Sequence, residues 1–271
     1  MKSKVKEHRE HEPCGTRYGR SDDREEYFDE IYRSRYGTTT YLREFARFHE
    51  ARAKRVLEIG VGAGCDYRSW VENGARVSGI DLTETAIRVT TEHLEVKGLD
   101  AEEHDLRVAD AERLPFEDHT FDIVYSYGVF HHTPDTEQAL VEAHRVLKPG
   151  GELRAMIYHV PSWTGFMLWV RYGLLVGRPF ASQKQVVFER LESPGTKAYT
   201  LEEAKALFTL AGFQEVSVTS RLCPGDFLNI LPSTRYRGWP YRMVWRLYPR
   251  WLVALLGDRF GLDLLVRATK S

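Results

Sequence analysis

The sequence predicts an α/β protein whose parallel sheet is covered by helices on both faces. From about residue 54, short apolar strands alternate with helix-length amphipathic runs. The first strand runs directly into Gly60-Val61-Gly62-Ala63-Gly64, and the next two strands end in the acids Asp81 and Asp110. The 271 residues are 42% hydrophobic, enough for a substantial core in one elaborated domain.

Residues 1–25 are densely charged and read as a flexible arm. Over 26–50, Tyr27, Phe28, Ile31, Tyr32, Tyr36, Tyr41, Leu42, Phe45 and Phe48 recur at helical spacings, which predicts one or two amphipathic helices broken near Gly37. Residues 55–59 form the first strand, 65–73 a helix ended by Gly74, and 76–81 the second strand. A helix over 84–97 closes at Gly98. Residues 106–110 and 121–127 are the third and fourth strands. A helix over 135–148 stops at Pro149-Gly150-Gly151, and 152–159 is the fifth strand. A long aromatic connection covers 160–198. Residues 200–211 are a helix with Thr200 as N-cap and Glu203 completing a capping box. A sixth strand spans 214–219, a second insertion 221–260, and a final strand 262–269. The expected organisation is thus an arm with lid helices over 1–50, then one domain over 51–271 interrupted by the two insertions.

A formal net charge of −1 argues against a dedicated nucleic-acid binder. Cys14, Cys65 and Cys223 are widely spaced and form no CxxC pair, so neither a disulfide framework nor a cysteine metal site is expected. A reducing cytoplasm is the simplest compartment. The N-terminal residues lack an apolar core and do not read as a secretory signal. The longest apolar stretch, 163–177, is interrupted by Arg171 and is too short to span a bilayer.

The chemistry centres on the glycine turn. Glycine lets a ligand approach the backbone closely, and the helix that follows presents free N–H groups. Asp81 lies 21 residues beyond Gly60, at a strand end where a carboxylate can hold ribose hydroxyls. Asp110 and the Ala111 backbone could frame an adenine. A dinucleotide enzyme would show GxGxxG, but here the spacing is GxGxG and Cys65 holds the sixth position. Glu58, two residues before the first glycine, would repel a pyrophosphate. It suits a cofactor carrying a sulfonium and an amino group.

VLEIGVGAG, GIDLT, VADAERLPFEDHTFDIVYSYGVFHH and RVLKPGG resemble the successive motifs of class I S-adenosylmethionine (SAM)-dependent methyltransferases. The likeness is closest to the broad methyltransferase type 11 group, which includes quinone and sterol methyltransferases. It covers 55–159 with specific motifs, and 200–220 and 262–269 more loosely. The resemblance implies a Rossmann-like fold with a central seven-stranded, mostly parallel sheet and an antiparallel last strand. It also implies SAM as cofactor and S-adenosylhomocysteine as product. By the same likeness, Glu58, Gly60, Gly62 and Gly64 would line the methionine part of SAM. Asp81 and Leu82 would sit at the ribose, Asp110 and Ala111 at the adenine, and Tyr127 and Gly128 beneath the sulfonium.

Methyl transfer is an in-line displacement that needs alignment and water exclusion, with a base only where the nucleophile must lose a proton. His131 and His132 follow the fourth strand, where the methyl group should point. His132 is the favoured base of the two, against a reading in which both pack the loop. Tyr158 and His159 share that rim and read as structural. Tyr27 and Tyr36 are lid candidates, and Arg17 and Arg20 either reach the methionine carboxylate or are solvated. The insertions hold an apolar cluster from Trp163 to Val176 and an arginine–aromatic run. In that run Arg242, Arg246 and Arg250 are four apart, and Pro249 interrupts or kinks any helix. Such a composition suits a buried substrate cap, a peripheral membrane contact or a dimer face. The expected acceptor is a small or lipid-like molecule. A nucleic acid is disfavoured, because Ser126-Tyr127-Gly128-Val129 stands where base methyltransferases carry an NPPY-like segment. The rival readings are a nicotinamide-dependent oxidoreductase and a non-catalytic SAM-binding or interaction protein.

Overall fold

The computed structural model describes residues 10, 14–99, 104–192, 195–231 and 239–271. Seven strands form one sheet: β1 (Arg55–Ile59), β2 (Arg76–Asp81), β3 (Asp105–Val108), β4 (Phe121–Tyr127), β5 (Leu147–Tyr158), β6 (Gln214–Arg221) and β7 (Asp263–Thr269). Their order is β3-β2-β1-β4-β5-β7-β6. The pairs among β1 to β5 are parallel, and β7 runs antiparallel to both β5 and β6. The helices are α1 (Arg24–Thr38), α2 (Leu42–Ala46), α3 (Cys65–Glu72), α4 (Glu84–Val96), α5 (Thr136–Val146), α6 (Trp163–Tyr172), α7 (Gln183–Arg190), α8 (Leu201–Leu210), α9 (Trp239–Leu247) and α10 (Arg250–Leu256).

Strand alternation sends neighbouring side chains to opposite faces, and both faces are buried. Leu57 of β1, Val124 of β4 and Leu153, Ala155 and Ile157 of β5 pack with Ala139, Leu140 and Ala143 of α5 and with Ala204 and Phe208 of α8. Val56, Ile123, Tyr125 and Met156 point the other way, onto Phe45 of α2 and Tyr67 and Trp70 of α3. Side-chain caps set several helix starts. Thr83 accepts from Ala86 N and Asp135 from Gln138 N, while Thr200 and Glu203 form the expected capping box.

Three local expectations need correction. α1 runs through Gly37 and ends only at Thr38. The Pro149-Gly150-Gly151 segment does not separate helix from strand. α5 ends at Val146 and β5 begins at Leu147, with Gly150 at φ +77° and a register shift opposite Phe121 to Ile123. The 160–198 connection contains α6 and α7, the first capped by Ser162.

Both insertions leave the sheet at one edge, since Tyr158 pairs with Asp263 and Asp263 with Arg221. The fully buried Asp226 joins them. Its Oδ1 accepts from Thr164 N (3.0 Å) and Thr164 Oγ1 (2.6 Å), and its Oδ2 from Cys223 N (3.0 Å) and Leu262 N (2.9 Å). Tyr248 adds a second link, donating to Asp226 O at 2.6 Å and accepting from Trp163 Nε1. The helical run is interrupted at Tyr248-Pro249, between α9 and α10, as Pro249 suggests. Arg235, Tyr236 and Arg237 lie outside the described residues, as do the side chains of Tyr241 and Arg242.

Candidate functional site

β1 and β4 lie side by side, while β2 and β3 extend the sheet to one side and β5 to the other. The carboxyl ends of β1 and β4 therefore frame a switch-point crevice, where open α/β sheets bind ligands. A pocket occupies that place, with about 920 Å³ of free space counting its open mouth. Gly60, Gly62, Asp81, Leu82, Asp110, Ala111, Tyr127, Gly128 and His132 line it together. Glu58, Gly64 and His131 are not among its lining residues.

The glycine turn is shaped by sterics. Gly60 sits at φ +87°, and a Cβ there would lie 2.2 Å from Val129 Cγ2, so the loop after β4 closes against bare backbone. Gly62, at φ +55°, lies under the chain at Cys14, whose carbonyl oxygen would be 3.2 Å from an added Cβ. Cys14 itself lines the pocket, so the segment before α1 crosses the turn. Gly64 serves as the left-handed N-cap of α3 and faces Thr90 rather than the pocket.

Asp81 Oδ1 accepts from Thr83 N (3.1 Å) and Thr83 Oγ1 (2.9 Å), and Oδ2 from Gly62 N (3.3 Å). The carboxylate thus ties the glycine turn to the start of α4 at the edge of the pocket. Asp110 Oδ1 accepts from Glu112 N at 3.0 Å, so this residue both caps its turn and lines the pocket. Glu58 is buried behind the turn, and its Oε2 has no hydrogen-bond partner. Burial, followed by the neighbouring Asp66 carboxylate, pushes Glu58 well above the usual carboxylate range. A cation arriving beside it would relieve that cost.

α1 is held to α3 by a buried polar cluster that sequence reasoning missed. The Arg35 guanidinium forks onto both Asp66 oxygens, while Tyr36 (2.9 Å) and Tyr125 (2.8 Å) donate to the same carboxylate. Arg35 also stacks on Tyr127, 4.7 Å from the ring centroid. The signal was present in the spacing, because Arg35 and Tyr36 lie in the aromatic helix and Asp66 just after the glycines. Long-range pairing, however, is not readable from local pattern. Tyr36 is therefore committed to Asp66 and Ser69, and Tyr27 donates to Thr16 O. Neither tyrosine lines the pocket, nor do Arg17 and Arg20.

Tyr127 is fixed by Asp263, whose Oδ2 accepts from Tyr127 (2.5 Å) and Tyr41 (2.6 Å). Burial raises Asp263 to about 6 despite those two donors. At the rim beyond Gly128, His132 Nδ1 lies 3.2 Å from Thr196 Oγ1. His132 Nε2 lies 3.2 Å from Glu192 Oε2, out of hydrogen-bond alignment. Tyr158 donates to Glu192 Oε1 at 2.6 Å, and His131 packs between His132 and Tyr158 at 4.2 and 4.0 Å. Glu192 and Thr196 come from the first insertion and had no motif to announce them. His159 faces away, with Nδ1 2.9 Å from Gly261 O.

His93 supports the turn from α4. Its Nδ1 lies 2.8 Å from Ala63 O, and Phe28 stacks on its ring at 4.4 Å. Burial lowers its pKa to about 4, so the folded protein holds it neutral. Its contribution is complete above about 6.5 and fades as pH falls through about 4, a loss of roughly 3 kcal/mol. Asp263 acts oppositely between 3.8 and about 6, so the comparison with a variant is what isolates His93. Urea midpoints of His93→Gln are expected to fall less than those of the native chain between pH 7 and 4.5, and parallel curves would remove this assignment.

Residues 57–155 match the family model for a methyltransferase domain. The chain is 38% identical over 106 residues to phthiotriol/phenolphthiotriol dimycocerosates methyltransferase 1 of Mycobacterium ulcerans, a match covering 38% of this chain and 37% of that protein. It is 32% identical over 147 residues to demethylmenaquinone methyltransferase of Bacillus cytotoxicus, covering 52% of this chain and 61% of that one. The chain thus spans less than two thirds of either relative. The solved phosphoethanolamine N-methyltransferase 2 of Haemonchus contortus, in complex with S-adenosyl-L-methionine, shares the fold with a TM-score of 0.58. That match is 23% identical and covers 86% of this chain and 51% of that one.

Proposed function

We propose that the protein is a class I, type 11 methyltransferase that transfers a methyl group from SAM to a small-molecule or lipid-like acceptor, a reading supported by the match of residues 57–155 to a methyltransferase-domain model. The observation that carries this reading is the convergence of Gly60, Gly62, Asp81, Leu82, Asp110, Ala111, Tyr127 and Gly128 on one crevice. Gly60 and Gly62 would hold the methionine part, Asp81 and Leu82 the ribose, and Asp110 and Ala111 the adenine. Tyr127 and Gly128 would lie at the sulfonium end. Glu58, with its Oε2 buried and unpartnered behind the turn, would ionise at less cost beside a cationic ligand than beside a pyrophosphate. When bound, SAM supplies an activated methyl carbon. The chain's own work is to orient the acceptor, exclude water and remove a proton where the acceptor carries one. The His132 ring is the proton acceptor in this reading, with Thr196 at Nδ1 positioning it, the Glu192 carboxylate balancing the charge it gains and His131 buttressing it. The names of the relatives, with demethylmenaquinone and phthiotriol dimycocerosates, support a lipid-like acceptor. The three cysteines are free thiols, in keeping with a cytoplasmic setting.

Calorimetry with SAM, followed by detection of S-adenosylhomocysteine across a panel of quinol, sterol and amine acceptors, tests the proposal. Absence of SAM binding would end it. Asp81→Ala should weaken SAM binding by about 1–3 kcal/mol, the scale of a hydrogen bond to a charged group. Unaltered affinity in that variant would remove Asp81 from the ribose.

A further inference from the structure

We infer that the two insertions form a docking face for a bilayer rich in anionic lipid. Residues 160–198 and 221–260 carry twelve Lys and Arg against four Asp and Glu, a net charge of +8 in a chain whose total is −1. The four acids are all engaged within the insertions or their rim. Asp226 is buried on backbone N–H groups, and Glu192 faces Tyr158 and His132. Glu189 pairs with Arg178, and Asp258 with Arg221.

The same segments hold most of the exposed large apolar side chains of the described residues. Phe180 is 100% exposed, Leu255 76%, Leu175 75%, Trp251 and Leu247 72%, and Trp239 69%. Outside the insertions, only Val108, Val141 and Leu210 are comparably exposed among the described residues. The Asp226 and Tyr248 contacts hold the two segments together, so apolar groups and arginines belong to one assembly at the pocket's edge of the sheet. Apolar surface on this scale calls for a partner. A second copy meeting the face through a twofold axis would set positive charge against positive charge. A polyanion without an apolar phase would leave Phe180 and the tryptophans in water. An anionic bilayer satisfies both, taking the aromatic and aliphatic tips into its interface and the arginines at its headgroups. Among the described residues no helix is long and apolar enough to cross a membrane, and the contact proposed is a peripheral one. The face goes beyond the proposed methyl transfer, since docking can be read without turnover.

The test is sedimentation of the full chain with vesicles of phosphatidylcholine alone or mixed with phosphatidylglycerol. The native chain is expected to sediment with the mixed vesicles, less in high salt and little with the neutral ones. Leu175→Ser/Phe180→Ser removes only exposed side chains, so its melting temperature and SAM affinity should match the native chain. Its partition should fall by about tenfold or more. The proposal is overturned if the native chain stays in the supernatant with both vesicle types, or if the double variant sediments as the native does. It is equally overturned if light scattering shows a native dimer that the substitutions dissociate, or if a nucleic-acid duplex binds the native chain and double variant alike while vesicles do not. Loss of SAM binding with vesicle binding intact would instead strike the methyltransferase reading alone.

Discussion

Replacing Asp66 by alanine is expected to lower folding stability by about 3–5 kcal/mol, the scale for removing one partner of a buried ion pair. The carboxylate is 3% exposed and serves three groups at once: the Arg35 fork, Tyr36 and Tyr125. Its loss strands a guanidinium that is only 25% exposed, together with the hydroxyl of the fully buried Tyr125, while Tyr36 keeps Ser69. It also releases α1, so SAM affinity should fall alongside stability. Asp66→Asn preserves the shape but not the charge and should fall between the two. Chemical denaturation followed by circular dichroism reads the first effect, calorimetry the second. Denaturation curves superimposing on those of the native chain would show that the cluster contributes nothing to stability.

His132→Ala is expected to leave SAM affinity unchanged and to slow transfer by about 10²–10⁴-fold, the range for loss of a general base. The effect applies to acceptors that must lose a proton in the reaction. Glu192→Gln should give a smaller fall of the same kind, because the carboxylate 3.2 Å from Nε2 balances the charge of the protonated ring without touching the acceptor. Separate measurement of kcat and cofactor Kd distinguishes this from a structural defect, which would move both. A His132→Ala enzyme turning over a hydroxyl or amine acceptor at the native rate would take His132 out of the chemistry.

The sheet was legible because its signals are local. A buried strand beside glycines, acids at strand ends and capping residues such as Thr200 and Glu203 each act within a few positions. The crevice was legible for the same reason, since β1, β2 and β4 each deliver their carboxyl-end residues to one switch point. Features that depend on distant partners were not. Arg35 meets Asp66 across 31 positions, and Glu192 reaches His132 across 60, with no periodicity to mark either pair. Aromatic character marks Tyr27 and Tyr36 as lid candidates, yet it is the peptide backbone near Cys14 that covers the glycine turn. Pro149-Gly150-Gly151 misled because a turn-forming composition also fits a distorted strand, here paired to Phe121 at one end.

Asp226 has a consequence for chimaera design. One carboxylate saturates N–H groups from the first insertion, the second insertion and the approach to β7. Grafting the first insertion alone onto a relative would leave the Thr164 N–H and hydroxyl without their acceptor, and grafting the second alone would leave Asp226 Oδ1 buried without its two donors. Exchange of acceptor preference between such proteins should therefore succeed only when both segments are transplanted together, as a single heritable cassette.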